Sequence, residues 1–181
     1  MPVTAAKRYL PSIRPLAGCI PATGGYDGAM RMELTDMRAW LNGILAEFGC
    51  HTGTLHAADP AGETLKLVAQ VGIPAMLLDR IKVIPFGKGI AGAAAATRQP
   101  VELCNLQTNL GGVAEPGARA TQAAGSIAVP VFAADGGGRV VGTLGVGMLE
   151  PHEFTAEEKR RLEEIAGSIA GWLEKQSAGP V

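Results

Sequence analysis

From Met30 the apolar positions Met30, Leu34, Met37, Leu41, Ile44, Leu45 and Phe48 recur at the three- and four-residue steps of a helix, and Gly49 stands where such a helix stops. The pattern predicts an amphipathic first helix. His51 to Ala58 and Glu63 to Val71 then flank Asp59-Pro60-Ala61-Gly62, where proline presets one turn torsion and glycine accepts a positive one. Two antiparallel strands are expected to meet there. A short helix over Pro74 to Asp79 and a strand over Ile81 to Ile84 follow. The stretch from Pro85 to Asn105 reads as strand, glycine turn, alanine-rich helix, and a second strand opened by Pro100. Two β-branched segments, Ser126 to Phe132 and Arg139 to Met148, are joined by Asp135-Gly136-Gly137-Gly138 and predict a second hairpin, central in the sheet. A last helix opens with Thr155 and Glu158 at capping-box spacing after Phe154, and Leu162, Ile165, Ala166, Ile169 and Leu173 form its apolar stripe.

Two regions carry no such period. Residues 1–28 hold Pro2, Pro11, Pro15 and Pro21 with Gly18, Gly24, Gly25 and Gly28, a composition that resists helix and strand interiors, so an extended arm is expected. Between Asn105 and Gly125, Gly111-Gly112 and Pro116-Gly117 punctuate a polar run long enough to serve as a lid. The expected organisation is an arm over 1–28, one domain over 29–175 and a tail over 176–181. At 181 residues the chain can bury roughly 70% of its unfolded surface, enough for one self-supporting core.

Charge removes several functions. Sixteen Lys and Arg against seventeen Asp and Glu leave a net charge of -1, with no basic field to hold a nucleic-acid backbone or an anionic membrane. Aromatic residues are only 4% of the chain, so stacking platforms are few and the core must be aliphatic. Neither nucleic acid nor membrane is an expected partner. Cys19, Cys50 and Cys104 lie far apart without a CxxC pair, so neither a disulfide framework nor a zinc site is written, and a reducing cytoplasm fits best. Pro11, Arg14 and Pro15 interrupt any apolar run that could make a leader peptide of the start, and no apolar stretch of about 18 residues suggests a membrane span.

Gly87-Lys88-Gly89-Ile90-Ala91-Gly92 spells GxGxxG after a strand and before a helix, the setting of a dinucleotide-binding turn. That site needs parallel winding and an acidic residue about 20 positions on. Here the strands pair as hairpins and the acid is missing, so the glycines read as a tight turn with close helix packing. The phosphate-loop pattern also fails, because Gly89 rather than Ser or Thr follows Lys88. No HExxH and no nucleophile elbow occur. Glu157-Glu158 and Glu163-Glu164 read as a solvated helix face, so no catalytic residues are expected.

Taken in order, Pro85 to Asn105, Gly125 to Val131, Val140 to Gly147 and Phe154 to Ala166 resemble the GAF domain family of sensory ligand-binding modules, over about Met30 to Leu173. The resemblance implies an α+β fold, a central antiparallel β-sheet with N- and C-terminal helices packed on one face and a lidded ligand pocket on the other. It implies that the pocket is bounded by Phe86, Ile90, Ala91, Cys104, Asn105, Thr108, Arg119, Ser126 and Val129. Most are small or apolar, as ligand sites tend to be. An inward-turned Arg119 would favour an oxyanion; an outward one would be solvated. The resemblance also implies a homodimer through Trp40, Leu41, Ile169, Trp172 and Leu173.

The family's other chemistries are poorly served by these residues. Its free methionine sulfoxide reductases use a cysteine near the glycine turn, where this chain has Ile90 and Ala91, and further cysteines in the lid, where Leu106 to Ala124 contain none. Cys104 alone cannot close a catalytic disulfide there. Cys50-His51 spells the dipeptide that attaches a bilin in related domains, but it precedes the first strand instead of following the lid. A haem on His51 or His56 competes with an ordinary hydrogen-bonded histidine. The cyclic-nucleotide signature Asn-Lys-Phe-Asp-Glu is missing. No cofactor is assigned, with no metal or nucleotide motif present and neither haem nor bilin expected. The expectation is therefore a cytoplasmic sensory or regulatory domain that binds an unidentified small molecule without catalysis and signals through a separate protein. Two alternatives stay open: a reductase or thiol-sensing relative, and a dimerisation domain without a pocket.

Overall fold

In the computed structural model, which describes residues 34–103 and 124–177, the first helix α1 (Leu34–Phe48) turns Met37, Leu41, Ile44 and Leu45 inward and stops at Gly49, whose φ of 66° suits glycine. Then come β1 (Thr52–Ala58), β2 (Thr64–Val71), α2 (Ala75–Ile81), β3 (Val83–Pro85), α3 (Gly89–Thr97), β4 (Val101–Leu103), β5 (Gly125–Phe132), β6 (Val140–Met148), α4 (Ala156–Ser168) and α5 (Ala170–Ser177). The six strands form one sheet in the order β3-β2-β1-β6-β5-β4, every pair antiparallel. Both predicted hairpins are present, and β6 lies at the centre with β1. The Asp59 carboxylate holds the first turn by accepting from Glu63 N at 2.9 Å and Thr64 Oγ1 at 2.6 Å.

Two boundaries differ from the sequence reading. Ile81 closes α2 instead of opening the next strand, and its carbonyl, free at the helix end, accepts a hydrogen bond from buried His56. The C-terminal helix is not continuous. Gly167 has low helix propensity, Ser168 Oγ donates back to the Ile165 carbonyl at 2.6 Å, and Ile169 N bonds Ala166 O in the tighter three-residue step, so the axis breaks between α4 and α5. The break lets both halves of the stripe reach the sheet.

Alternation along the strands divides the interior in two. One sheet face carries Leu55, Ala57, Ala69, Ile127, Val129, Val131, Leu144 and Val146, packed with Met37, Leu41, Ile44, Leu45, Leu162, Ala166, Ile169 and Leu173 of the helices. This closed aliphatic core is the main one. The other face carries Ala58, Leu65, Ala128 and Val140 against Ala91, Ala94 and Ala95 of α3. At the sheet edge, Glu102 of β4 accepts from Lys159 Nζ and Phe154 N, and so ties the last helices to the strand beside α3. Arg161 bonds Glu47, joining α4 to α1. Among the described residues no helix is long and apolar enough to cross a membrane. The expected arm over 1–28 and, apart from Ala124, the expected lid between Asn105 and Gly125 lie outside the described residues.

Candidate functional site

Four of the nine expected pocket residues lie on the face away from α1, α4 and α5. The approach begins at the glycine turn. Gly87 and Gly89 take φ of 82° and 59°, Gly87 N donates to Gly92 O at 2.7 Å, and Lys88 N donates to Pro85 O at 3.1 Å. A Cβ on Gly92 would overlap the Pro85 carbonyl oxygen, so this glycine allows α3 to lie against β3. With the sheet wholly antiparallel, GxGxxG here is a turn and a packing device rather than a dinucleotide fingerprint. The alanines of α3 do the rest. Their small side chains bring the helix down on Ala128 and Val140, flanked by half-buried Phe86 and Ile90.

Of the residues expected around a pocket, Phe86, Ile90 and Ala91 therefore come together at α3, and Ser126, buried in β5, lies on the same face. Val129 does not. It is three residues from Ser126 in an extended strand, so it points the opposite way, into the core beneath the helices, and is removed from the site. Cys104, Asn105, Thr108 and Arg119 lie outside the described residues. Among the residues expected at a dimer contact, Leu41, Ile169 and Leu173 are buried within the subunit, because the helix stripe is consumed by the sheet; Trp40 and Trp172 keep part of their surface.

Beyond α3 the same face becomes small and polar. Cross-strand pairs place Thr52 with Gly147 and Ser126, Thr54 with Gly145 and Ala128, and His56 with Thr143 and Pro130. None of these rows carries a large aliphatic side chain. A Cβ on Gly145 would lie 2.8 Å from Thr54 Oγ1, so the threonine side chain across the pair leaves no space for bulk there. His56 is 1% exposed and Thr143 is 0% exposed. His56 Nε2 meets the Ile81 carbonyl at 3.0 Å, while His56 Nδ1 and Thr143 Oγ1 have no hydrogen-bond partner among the described residues. Burial, opposed by the Ile81 bond, lowers the His56 pKa from 6.5 to about 4. The imidazole is therefore neutral near pH 7. Because a carbonyl only accepts, Nε2 carries the proton and Nδ1 presents a lone pair.

The sequence leaves His56 between a haem ligand and an ordinary hydrogen-bonded histidine, of which the structure has the hydrogen bond, and it does not single out Thr143. The signal was available in the alternation Thr52, Thr54, His56, which puts three polar side chains on one face of β1. Elsewhere, Cys50 is buried in the main core, and burial first, then the Glu158 carboxylate, pushes its thiol up to about 12. Such a thiol is a poor nucleophile. Among the described residues no three His, Cys, Asp or Glu side chains gather as metal ligands.

Comparison with known proteins places this geometry. The GAF domain family model matches residues 37–174. No curated protein sequence matches the chain. Among solved structures, the GAF domain of a phosphoenolpyruvate-protein phosphotransferase from Coxiella burnetii superimposes with a TM-score of 0.66 at 18% identity, over 80% of this chain and 84% of that one. Type II free methionine-R-sulfoxide reductase from Thermoplasma acidophilum gives 0.62 at 19% identity, over 78% and 92%. Free methionine-R-sulfoxide reductase from Neisseria meningitidis, solved with its substrate, gives 0.60 at 21% identity, over 82% and 81%. At these identities the likeness is one of fold, shared by the GAF domain of a phosphotransferase and by sulfoxide reductases.

Proposed function

This chain belongs to the GAF domain family, and from that premise we propose that it is a sensory or regulatory domain that binds a small molecule on the α3 face of its sheet without converting it. The observation that carries this reading is the inequality of the two faces. One is filled by large aliphatic side chains and three helices. The other is floored by Thr54, Ser126, Ala128, Gly145 and Gly147, small side chains and hydrogen-bonding groups with little bulk, which is the usual makeup of a ligand floor. Binding without chemistry is supported by Cys50, which sits in the opposite core with a thiol too basic to attack. The bound state would pass to a separate signalling protein, with the chain acting in the cytoplasm as a homodimer that meets through the surface around Trp40 and Trp172.

Native mass spectrometry of freshly purified full-length protein, with a thermal-shift screen of anions, nucleotides and amino-acid metabolites, tests the reading. A ligand that binds only the folded state adds about 2.7 kcal/mol at a hundredfold excess over Kd, a rise of several degrees in Tm. A retained metabolite or one such shift is expected. Neither appearing across the whole screen would overturn the binding function.

A further inference from the structure

The α3 face buries two polar atoms that have no partner among the described residues, His56 Nδ1 and Thr143 Oγ1, in residues 1% and 0% exposed. Leaving a buried polar atom unpaired is costly, and two of them side by side ask for an explanation. They are side by side. His56 of β1 and Thr143 of β6 are cross-strand neighbours on the two central strands, so both side chains project from the same face. The next row along that face is Thr54 with Gly145 and Ala128, the small-residue strip described above, and Thr54 is only partly buried.

The chemistry of the pair is directional. His56 Nε2 is committed as a donor to the Ile81 carbonyl, so Nδ1 of the neutral ring can only accept. The Thr143 hydroxyl can donate. A guest that satisfies both must offer a donor and an acceptor close together, and must not bring negative charge against the Nδ1 lone pair. We propose that His56 and Thr143 read the neutral amide edge of the ligand, a carboxamide or lactam whose N–H meets Nδ1 and whose C=O accepts from the Thr143 hydroxyl. The inference rests on the small-molecule reading above and adds the ligand's chemical class. It also sets a discrimination: an isosteric carboxylate places oxygen lone pairs against Nδ1 and is refused unless the imidazole is protonated.

Two amide and acid pairs serve as probes, nicotinamide with nicotinate and L-glutamine with L-glutamate, titrated at pH 7.5 into full-length protein carrying ¹⁵N-labelled histidine. The chain has three histidines, and a His56→Gln variant identifies the resonances of His56. An amide should move the Nδ1 resonance of His56 while Nε2 stays in place, and the matching acid should bind at least about tenfold more weakly, since it loses one hydrogen bond and leaves a buried acceptor unpaired. Thr143→Val, close to isosteric, should weaken the amide about tenfold and narrow the gap to the acid. The inference falls if either acid binds as tightly as its amide, if amide binding ignores Thr143→Val, if Nδ1 shows a hydrogen-bonded shift before any probe is added, or if neither amide binds. In each case the binding function still stands when another metabolite raises Tm. Silence from both pairs and from the wider screen overturns both.

Discussion

His56 shows how one buried side chain makes stability depend on pH. Its pKa lies at about 4 in the folded chain against 6.5 for an exposed histidine, so between those values the unfolded chain takes up a proton that the folded one refuses. The contribution is fully present above pH 6.5, declines as pH falls, and is gone by about pH 4. The shift corresponds to about 3 kcal/mol over that window. Urea unfolding at pH 7 and pH 4.5 should show wild type losing most of this amount relative to His56→Gln. Carboxylate titration is common to both proteins and cancels in the difference. Equal losses would mean that the histidine is solvated in the folded chain. Cys50 is the counterpart in the other core, an apolar position in practice, with its thiol raised by the same desolvation.

Among the elements, α4 depends most visibly on local sequence. Thr155 Oγ1 accepts from Glu158 N at 3.2 Å and the Glu158 carboxylate accepts from Thr155 N at 2.7 Å, the reciprocal pair anticipated from the spacing of the two residues. The same carboxylate faces His152 Nε2 at 3.3 Å. Thr155→Ala should therefore destabilise the protein by about 1 kcal/mol, read as a lower urea midpoint with an unchanged m-value. An unchanged midpoint would show that Glu102, through Lys159 and Phe154 N, suffices to fix the start of the helix. The break at Ile169 was harder to foresee, because Leu162, Ala166, Ile169 and Leu173 keep a helical period straight through it. Only the bonds made by Ser168 and Ile169 reveal that the stripe is delivered by two short helices.

At the scale of the whole molecule, the faces of the sheet divide the labour. The helix face is closed, and a second copy of the chain would have to meet the outer side of α1 and α5, where Trp40 and Trp172 stay partly exposed. Trp172→Glu should convert a micromolar dimer to a monomer in sedimentation while the thermal response to ligand persists. A wild-type monomer at that concentration would remove the dimer proposal and leave the ligand site untouched.

The order of elements, both hairpins, the glycine turn before α3 and the capped start of α4 were legible in the chain, because turn torsions, caps and hydrophobic periods are local properties of a few neighbouring residues. Gly87 and Gly89 declare their turn by needing positive φ, whatever surrounds them. Which side of β5 faces α3, and hence the removal of Val129 from the site, needed the sheet, since a continuous apolar run such as Ile127 to Phe132 carries no alternation to orient it. The meeting of His56 with Thr143, 87 positions apart, was decided by tertiary structure alone. Pairing of β1 with β6 is a long-range register, and only that register sets a lone pair beside a hydroxyl, both without a partner among the described residues.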